Sequence, residues 1–89
     1  PEEMVKRGQV ADLIFYVATY FSNIRENNEA MKLYKREVAL IDNAPYHDFD
    51  FKVRKATCYG TIGTGHYYLG EYKEALEGFV KSKEMNEEM

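Results

Sequence analysis

The sequence predicts an all-α protein: four antiparallel helices forming two stacked hairpins. Three observations predict it. Apolar residues recur at helical spacing through four segments, the second half repeats the first at a fixed offset, and no segment shows the strict alternation or the Asn-Gly turns that strands require.

The first helix is expected from about Glu2 to about Arg25. Ile14, Val17, Ala18, Phe21 and Ile24 fall at i, i+3, i+4, i+7 and i+10, which places them on one helix face. Pro1 suits a first helical turn, and Glu2 and Glu3 stand where negative charge favours a helix N-terminus. The polar run Glu26-Asn27-Asn28 breaks the pattern. Helical spacing resumes with Ala30, Met31, Tyr34, Val38 and Ile41, with Asn27 or Asn28 able to cap the new helix, which ends near Asp42. The run from Asp42 to Asp48 contains Pro45 and His47 and reads as the clearest loop in the chain.

The third helix is expected over about Phe51 to Leu69, capped by Asp48 or Asp50 and carrying Tyr59, Ile62, Gly63 and His66 at i, i+3, i+4 and i+7. Gly70 supplies the stop, since glycine tolerates positive φ. A fourth helix runs from about Tyr72 toward the end, with Ala75, Leu76, Phe79 and Val80 expected on its buried face. The chain thus divides into one unit at about 1–43, a linker at about 43–49 and a second unit at about 50–89 within a single domain. Because it opens on Pro1 without an initiator methionine, the 89 residues are expected to be a piece of a longer protein.

Composition narrows the function. The chain is 45% hydrophobic and 30% charged, which excludes disorder on compositional grounds. Its longest apolar run, Leu13 to Ala18, falls far short of the ~20 residues of a membrane-spanning helix, and no signal-peptide pattern opens it. A net charge of −3 from interspersed residues creates no large single-sign field, so neither nucleic acid nor an anionic membrane is expected as a partner. Lys52, Arg54 and Lys55 form the one basic cluster, too short for a phosphate-tracking stripe and read as the solvated start of a helix. A lone cysteine, Cys58, cannot form an intramolecular disulfide, so stability must come from packing. A cytoplasmic location is the expectation.

The internal repeat is explicit. Glu29-Ala30-Met31 with Tyr34 matches Glu74-Ala75-Leu76 with Phe79 at an offset of 45 residues, as from Ala30 to Ala75. The same offset pairs Ile14 with Tyr59, Val17 with Ile62, Ala18 with Gly63 and Phe21 with His66. With Tyr59, Ile62-Gly63, Tyr67, Leu69-Gly70-Glu71-Tyr72, Ala75-Leu76 and Phe79, the second half resembles a tetratricopeptide repeat. In the first half Ala18, Ala30 and Tyr34 fit the same pattern, but Arg25 and Asn27 replace the glycine and tyrosine of the turn. The period is about 11 residues longer than the usual 34, which resembles the long-period variants of bacterial regulatory proteins. Glu87 stands where a proline would commonly close the repeat.

The resemblance implies a right-handed superhelical stack and a packing role for Ala18, Ala30, Tyr34, Gly63, Gly70, Tyr72, Ala75 and Phe79. It also implies partner binding along a concave wall made by the first helix of each hairpin. The corresponding residues are Asp12, Phe15, Tyr16 and Thr19, with Thr57, Gly60, Thr61, Thr64, Tyr67 and Tyr68. None of these is the lysine, arginine or asparagine that clamps a C-terminal carboxylate in one branch of the family. The implied function is a non-enzymatic protein- or peptide-interaction module, of the kind that serves as the sensor or regulatory arm of a larger bacterial signalling protein. An alternative is self-association: two units leave an apolar end at Phe79, Val80, Met85 and Met89, which a homodimer would cover.

Catalytic and cofactor readings find little purchase. Gly60-Thr61-Ile62-Gly63-Thr64-Gly65-His66 lacks the Gly-Lys-Ser/Thr ending and the preceding strand of a phosphate loop, so its glycines are read as sites of close helix approach. Cys58 and His66, eight residues apart, are rotated by about 80° on a helix, and no second histidine or carboxylate is spaced to orient the imidazole. One cysteine and two histidines, His47 and His66, show no paired metal-ligand spacing. Cys58 is expected as a small buried hydrophobe and His66 as a packed imidazole; no cofactor or metal is expected.

Overall fold

The computed structural model describes residues 2–43 and 49–88, and among them are four helices and no strand: α1 (Glu2–Asn23), α2 (Asn27–Asp42), α3 (Phe49–Tyr68) and α4 (Tyr72–Glu88). The expectations placed on Pro1, Pro45, His47, Asp48, Met89 and linker residues 44–48 lie outside the described residues, while Phe49, expected at the end of the linker, already belongs to α3. Each helix packs antiparallel on the next. Tyr34 of α2 meets Phe15 and Thr19 of α1, Met31 and Glu37 of α2 meet Gly65 and Arg54 of α3, and Ser82 of α4 donates a hydrogen bond to the Ala56 carbonyl of α3. The result measures 43 × 29 × 16 Å between extreme Cα atoms.

The two hairpin turns are built alike. After α1, the Glu26 N–H donates to the Phe21 carbonyl at 2.9 Å and the Arg25 N–H to the Ser22 carbonyl at 3.1 Å. After α3, the Glu71 N–H donates to the His66 carbonyl at 2.9 Å and the Gly70 N–H to the Tyr67 carbonyl at 3.0 Å. Both are Schellman closures, which satisfy helix-end carbonyls by placing one residue in the left-handed region. That residue is Arg25, at φ 66°, in the first turn and Gly70, at φ 80°, in the second. Arginine there carries a Cβ penalty that glycine escapes. The 45-residue repeat thus extends to backbone hydrogen bonds at positions where the side chains differ. Neither asparagine caps α2: Glu26 holds the N-cap position without a side-chain bond, and Asn27 is already helical. Asp50 lies inside the first turn of α3 rather than capping it.

The core gathers Ala18 from α1, Ala30, Met31, Tyr34 and Val38 from α2, and Cys58 and Ile62 from α3, with Phe15, Phe21, Leu33 and Tyr59 against its edge. Lying between α1 and α3, α2 buries every apolar residue that its spacing predicts, together with Glu37. On α3 the expected Ile62 and Gly63 are buried, but on α1 and α4 the covered face is turned from the expected one. In α1, Ala11 and Ala18 are buried, while Val17 and Ile24 are exposed. In α4, Ala75 and Gly78 are buried, whereas Leu76, Phe79 and Val80 are exposed. The physical reason is close approach: a Cβ on Gly78 would lie 3.0 Å from the backbone of Gly63 and from the Tyr59 carbonyl. Small residues let α4 descend onto α3, and the larger ones flanking them project sideways.

Candidate interaction surface

Among the described residues, two contacts link the first unit to α3, on the side where the concave wall is expected. Arg54 of α3 reaches Asp12 of α1, Nη1 to Oδ1 at 2.6 Å, and its guanidinium lies 5.2 Å from the centre of the Phe15 ring. At the other end the Arg25 guanidinium lies 4.2 Å from the centre of the Tyr68 ring, a stacking contact between the two units.

Of the wall residues expected on α1, three are committed to structure. Asp12 is ion-paired, Phe15 is half-buried and edge-on to Tyr34 at 5.9 Å, and the Thr19 hydroxyl donates to the Phe15 carbonyl at 2.9 Å and lies 3.2 Å from the Tyr34 hydroxyl. Tyr16 is the most exposed of the four. On α3 the hydroxyls of Thr57, Thr61 and Thr64 turn back onto the carbonyls of Val53, Thr57 and Gly60, each at 3.0 Å, so the threonines offer little donor capacity to a partner. Gly60 lies on the α4 side, where a Cβ would come 3.4 Å from the Ser82 hydroxyl.

Tyr67 and Tyr68 are exposed, and the structure adds a neighbour that the sequence placed in packing. Tyr72 is exposed and meets Tyr67 edge-on at 5.6 Å, while Tyr67 and Tyr68 meet at 5.8 Å. Three tyrosines and Arg25 therefore make one aromatic patch at the second turn. Among the other residues assigned to packing, Ala18, Ala30, Tyr34, Gly63 and Ala75 are buried, Gly70 forms the turn, and Phe79 covers Gly63 while remaining partly exposed.

Behind the wall sits a charged group that sequence reasoning missed. Glu37 of α2 is fully buried, its Oε2 accepts from Arg54 Nη1 at 3.4 Å, and its Oε1 has no partner. Burial pushes its carboxyl up to about 7, against the lowering effect of Arg54 and with a further rise from Asp12. Arg54 loses hydration on burial, but Asp12 and Glu37 outweigh that and hold its pKa above the ordinary arginine value. A glutamate within an otherwise apolar face offers no signal until its arginine, 17 residues on, is placed beside it.

Cys58 is fully buried, and burial pushes its thiol up to about 12, with Glu37 adding and Arg54 opposing. Such a thiol supplies no thiolate near neutral pH. His66 does have an orienting carboxylate, contrary to the sequence expectation: its Nδ1 lies 3.0 Å from Glu71 Oε1, across the turn that closes α3. The five-residue spacing is not a helical one, so only the turn geometry brings the pair together. Among the described residues no group of three or more His, Cys, Asp or Glu side chains could hold a metal ion, and no helix is long and apolar enough to cross a membrane. Compared with known proteins, the chain matches no family model, no curated protein and no solved structure.

Proposed function

We propose that the chain is a non-enzymatic protein- or peptide-interaction module of tetratricopeptide type, binding its partner on the side where α1 and α3 lie together. The observation that carries this reading is the exposed patch of Tyr67, Tyr68 and Tyr72, ordered by mutual edge contacts and by Arg25 against Tyr68. Tyrosine offers large contact area at low conformational-entropy cost and keeps a hydroxyl for a hydrogen bond, which is why such residues anchor binding surfaces. The patch carries one positive group, Arg25, and the neighbouring carboxylate, Glu71, is engaged by His66. It therefore favours an apolar or aromatic segment with an acceptor beside it over a strongly basic one.

The test is a titration of the protein against an array of peptides and against lysate-derived partners identified by mass spectrometry. Binding weakened at least tenfold by Tyr67→Ala or Tyr72→Ala, with helicity unchanged, is the expected result; both residues are exposed, so their removal costs little stability. A partner bound equally well by both variants, or the absence of any partner, would overturn the reading.

A further inference from the structure

The side of α1 turned away from α2 carries a second apolar face. Val10, Leu13, Val17, Tyr20 and Ile24 follow one another at intervals of three, four, three and four residues, the spacing of a coiled-coil seam. All five are exposed: Leu13 64%, Tyr20 60%, Ile24 49%, Val10 48% and Val17 37%. From Gln9 to Ile24 the only charged residue is Asp12, and Arg54 occupies it. Nothing on this stripe repels an identical stripe.

We propose that the stripe is a self-association surface: two copies of the chain pair α1 with α1 about a two-fold axis, Val10, Leu13, Val17, Tyr20 and Ile24 of one meeting the same residues of the other. Two features of the molecule select a second copy over other occupants. The first is the seam's composition. β-Branched residues stand at one set of positions (Val10, Val17, Ile24) and Leu13 and Tyr20 at the other, a distribution that favours two strands, and the lack of charge beside it removes the usual means of choosing an unlike partner.

The second is the comparison with α3. At an offset of 45 residues, Leu13, Val17 and Tyr20 correspond to Cys58, Ile62 and Gly65, the face of α3 that α2 covers. There the small Cys58 and Gly65 admit α2 so closely that a Cβ on Gly65 would lie 2.8 Å from Met31 Cγ. In α1 those positions hold Leu13 and Tyr20, which fill the notch and keep out a helix arriving in α2's manner. What remains is a ridge suited to interdigitating with another ridge.

The exposed face of α4 is a weaker candidate. Its apolar residues Leu76 and Val80 are edged by Glu77, Lys81 and Glu84, so charge would have to be buried or displaced there.

Sedimentation equilibrium over roughly 10 µM to 1 mM tests the proposal, because an interface made by a single pair of helices calls for high concentration. The weight-average mass is expected to rise from 10.4 kDa toward twice that value. Val17→Glu is expected to raise the dissociation constant at least tenfold, and Leu76→Glu on α4 to leave it unchanged. Should Val17→Glu lose helicity, Leu13→Lys at the most exposed seam position gives the same readout. A chain that stays monomeric across the range overturns the proposal. So does a dimer that survives the seam substitutions, or one that Leu76→Glu abolishes, which would place the contact on α4.

Discussion

At the scale of single residues, the decisive one is Glu37. A fully buried carboxylate with one unpartnered oxygen costs stability whenever it is ionised, and Arg54, shared with Asp12, offsets only part of that cost. Because its pKa is raised in the folded chain from 4.5 to about 7, the folded state binds more protons than the unfolded state between those values. Stability from this group is therefore fully present below about pH 4.5 and is lost as pH rises toward 7. Glu37→Gln is expected to be more stable than the parent at pH 7.5 by up to about 3 kcal/mol, with the difference vanishing below pH 4.5. Urea denaturation of both proteins across that range checks it, since the other carboxylates cancel in the comparison. Sequence reading had no route to this residue, because Glu37 looks like any solvated helix glutamate until Arg54 and Asp12 are placed around it. His66 is similar: its carboxylate, Glu71, comes from beyond the helix end, where helical spacing does not apply.

At the scale of elements, the helix ends were legible and the covered faces only partly so. Boundaries follow from local chemistry: Gly70 tolerates a positive φ, Glu26-Asn27-Asn28 interrupts the apolar pattern, and the expected helices differ from the observed ones by two residues or fewer. Periodicity locates apolar faces, but α1 has two of them, and spacing alone could not tell that Ala11 and Ala18 face inward while Val17 and Ile24 do not. In α4 the inward side is marked by the small Ala75 and Gly78 rather than by the large Leu76 and Val80. Close approach is the reason, and it yields a graded prediction. Gly78→Ala thrusts a methyl group against the backbone of Gly63 and Tyr59, which cannot yield without separating α3 from α4. Overpacking of about 1–3 kcal/mol, reduced by the ~1 kcal/mol by which alanine is the better helix former, leaves a net loss of up to about 2 kcal/mol. Gly65→Ala meets the buried side chain of Met31 instead, which can shift where backbone cannot, and is expected to cost less than Gly78→Ala, as read from the shift in urea midpoint.

At the scale of the whole molecule, the 45-residue repeat is the feature that the sequence carried most clearly, and the two Schellman turns show how deep it runs. Equal backbone geometry at Arg25 and Gly70 means that the repeat is kept by hydrogen bonds even where side-chain preference opposes it. The two units are nevertheless not equivalent. The α3 face is covered by α2, which itself packs on α1, so the second unit depends on the first for the burial of Cys58, Ile62 and Gly65. A peptide of residues 49–89 is therefore expected to lose most of its order. Its circular dichroism at 222 nm per residue should fall below about half that of the full chain, because short helices without a packing partner are marginal in water. A peptide as helical as the full chain would mean that the α3–α4 contact at Gly63 and Gly78 suffices by itself. The chemistry of the expected wall residues was not legible: threonine hydroxyls that bond their own helix, and a Tyr72 that joins Tyr67 in the open, depend on rotamers that no spacing rule supplies.

The burial of Cys58 has a practical consequence. As the chain's single cysteine, lodged where α2 covers α3, it cannot meet a thiol reagent until those helices part. The molecule thus carries its own clock for internal opening. With reagent in excess, the labelling rate divided by that of an unstructured thiol gives the fraction of time the joint stands open. Any ligand or second copy that steadies the joint will slow that clock, and mass spectrometry of the intact chain can read the mass added by the reagent without any engineered label.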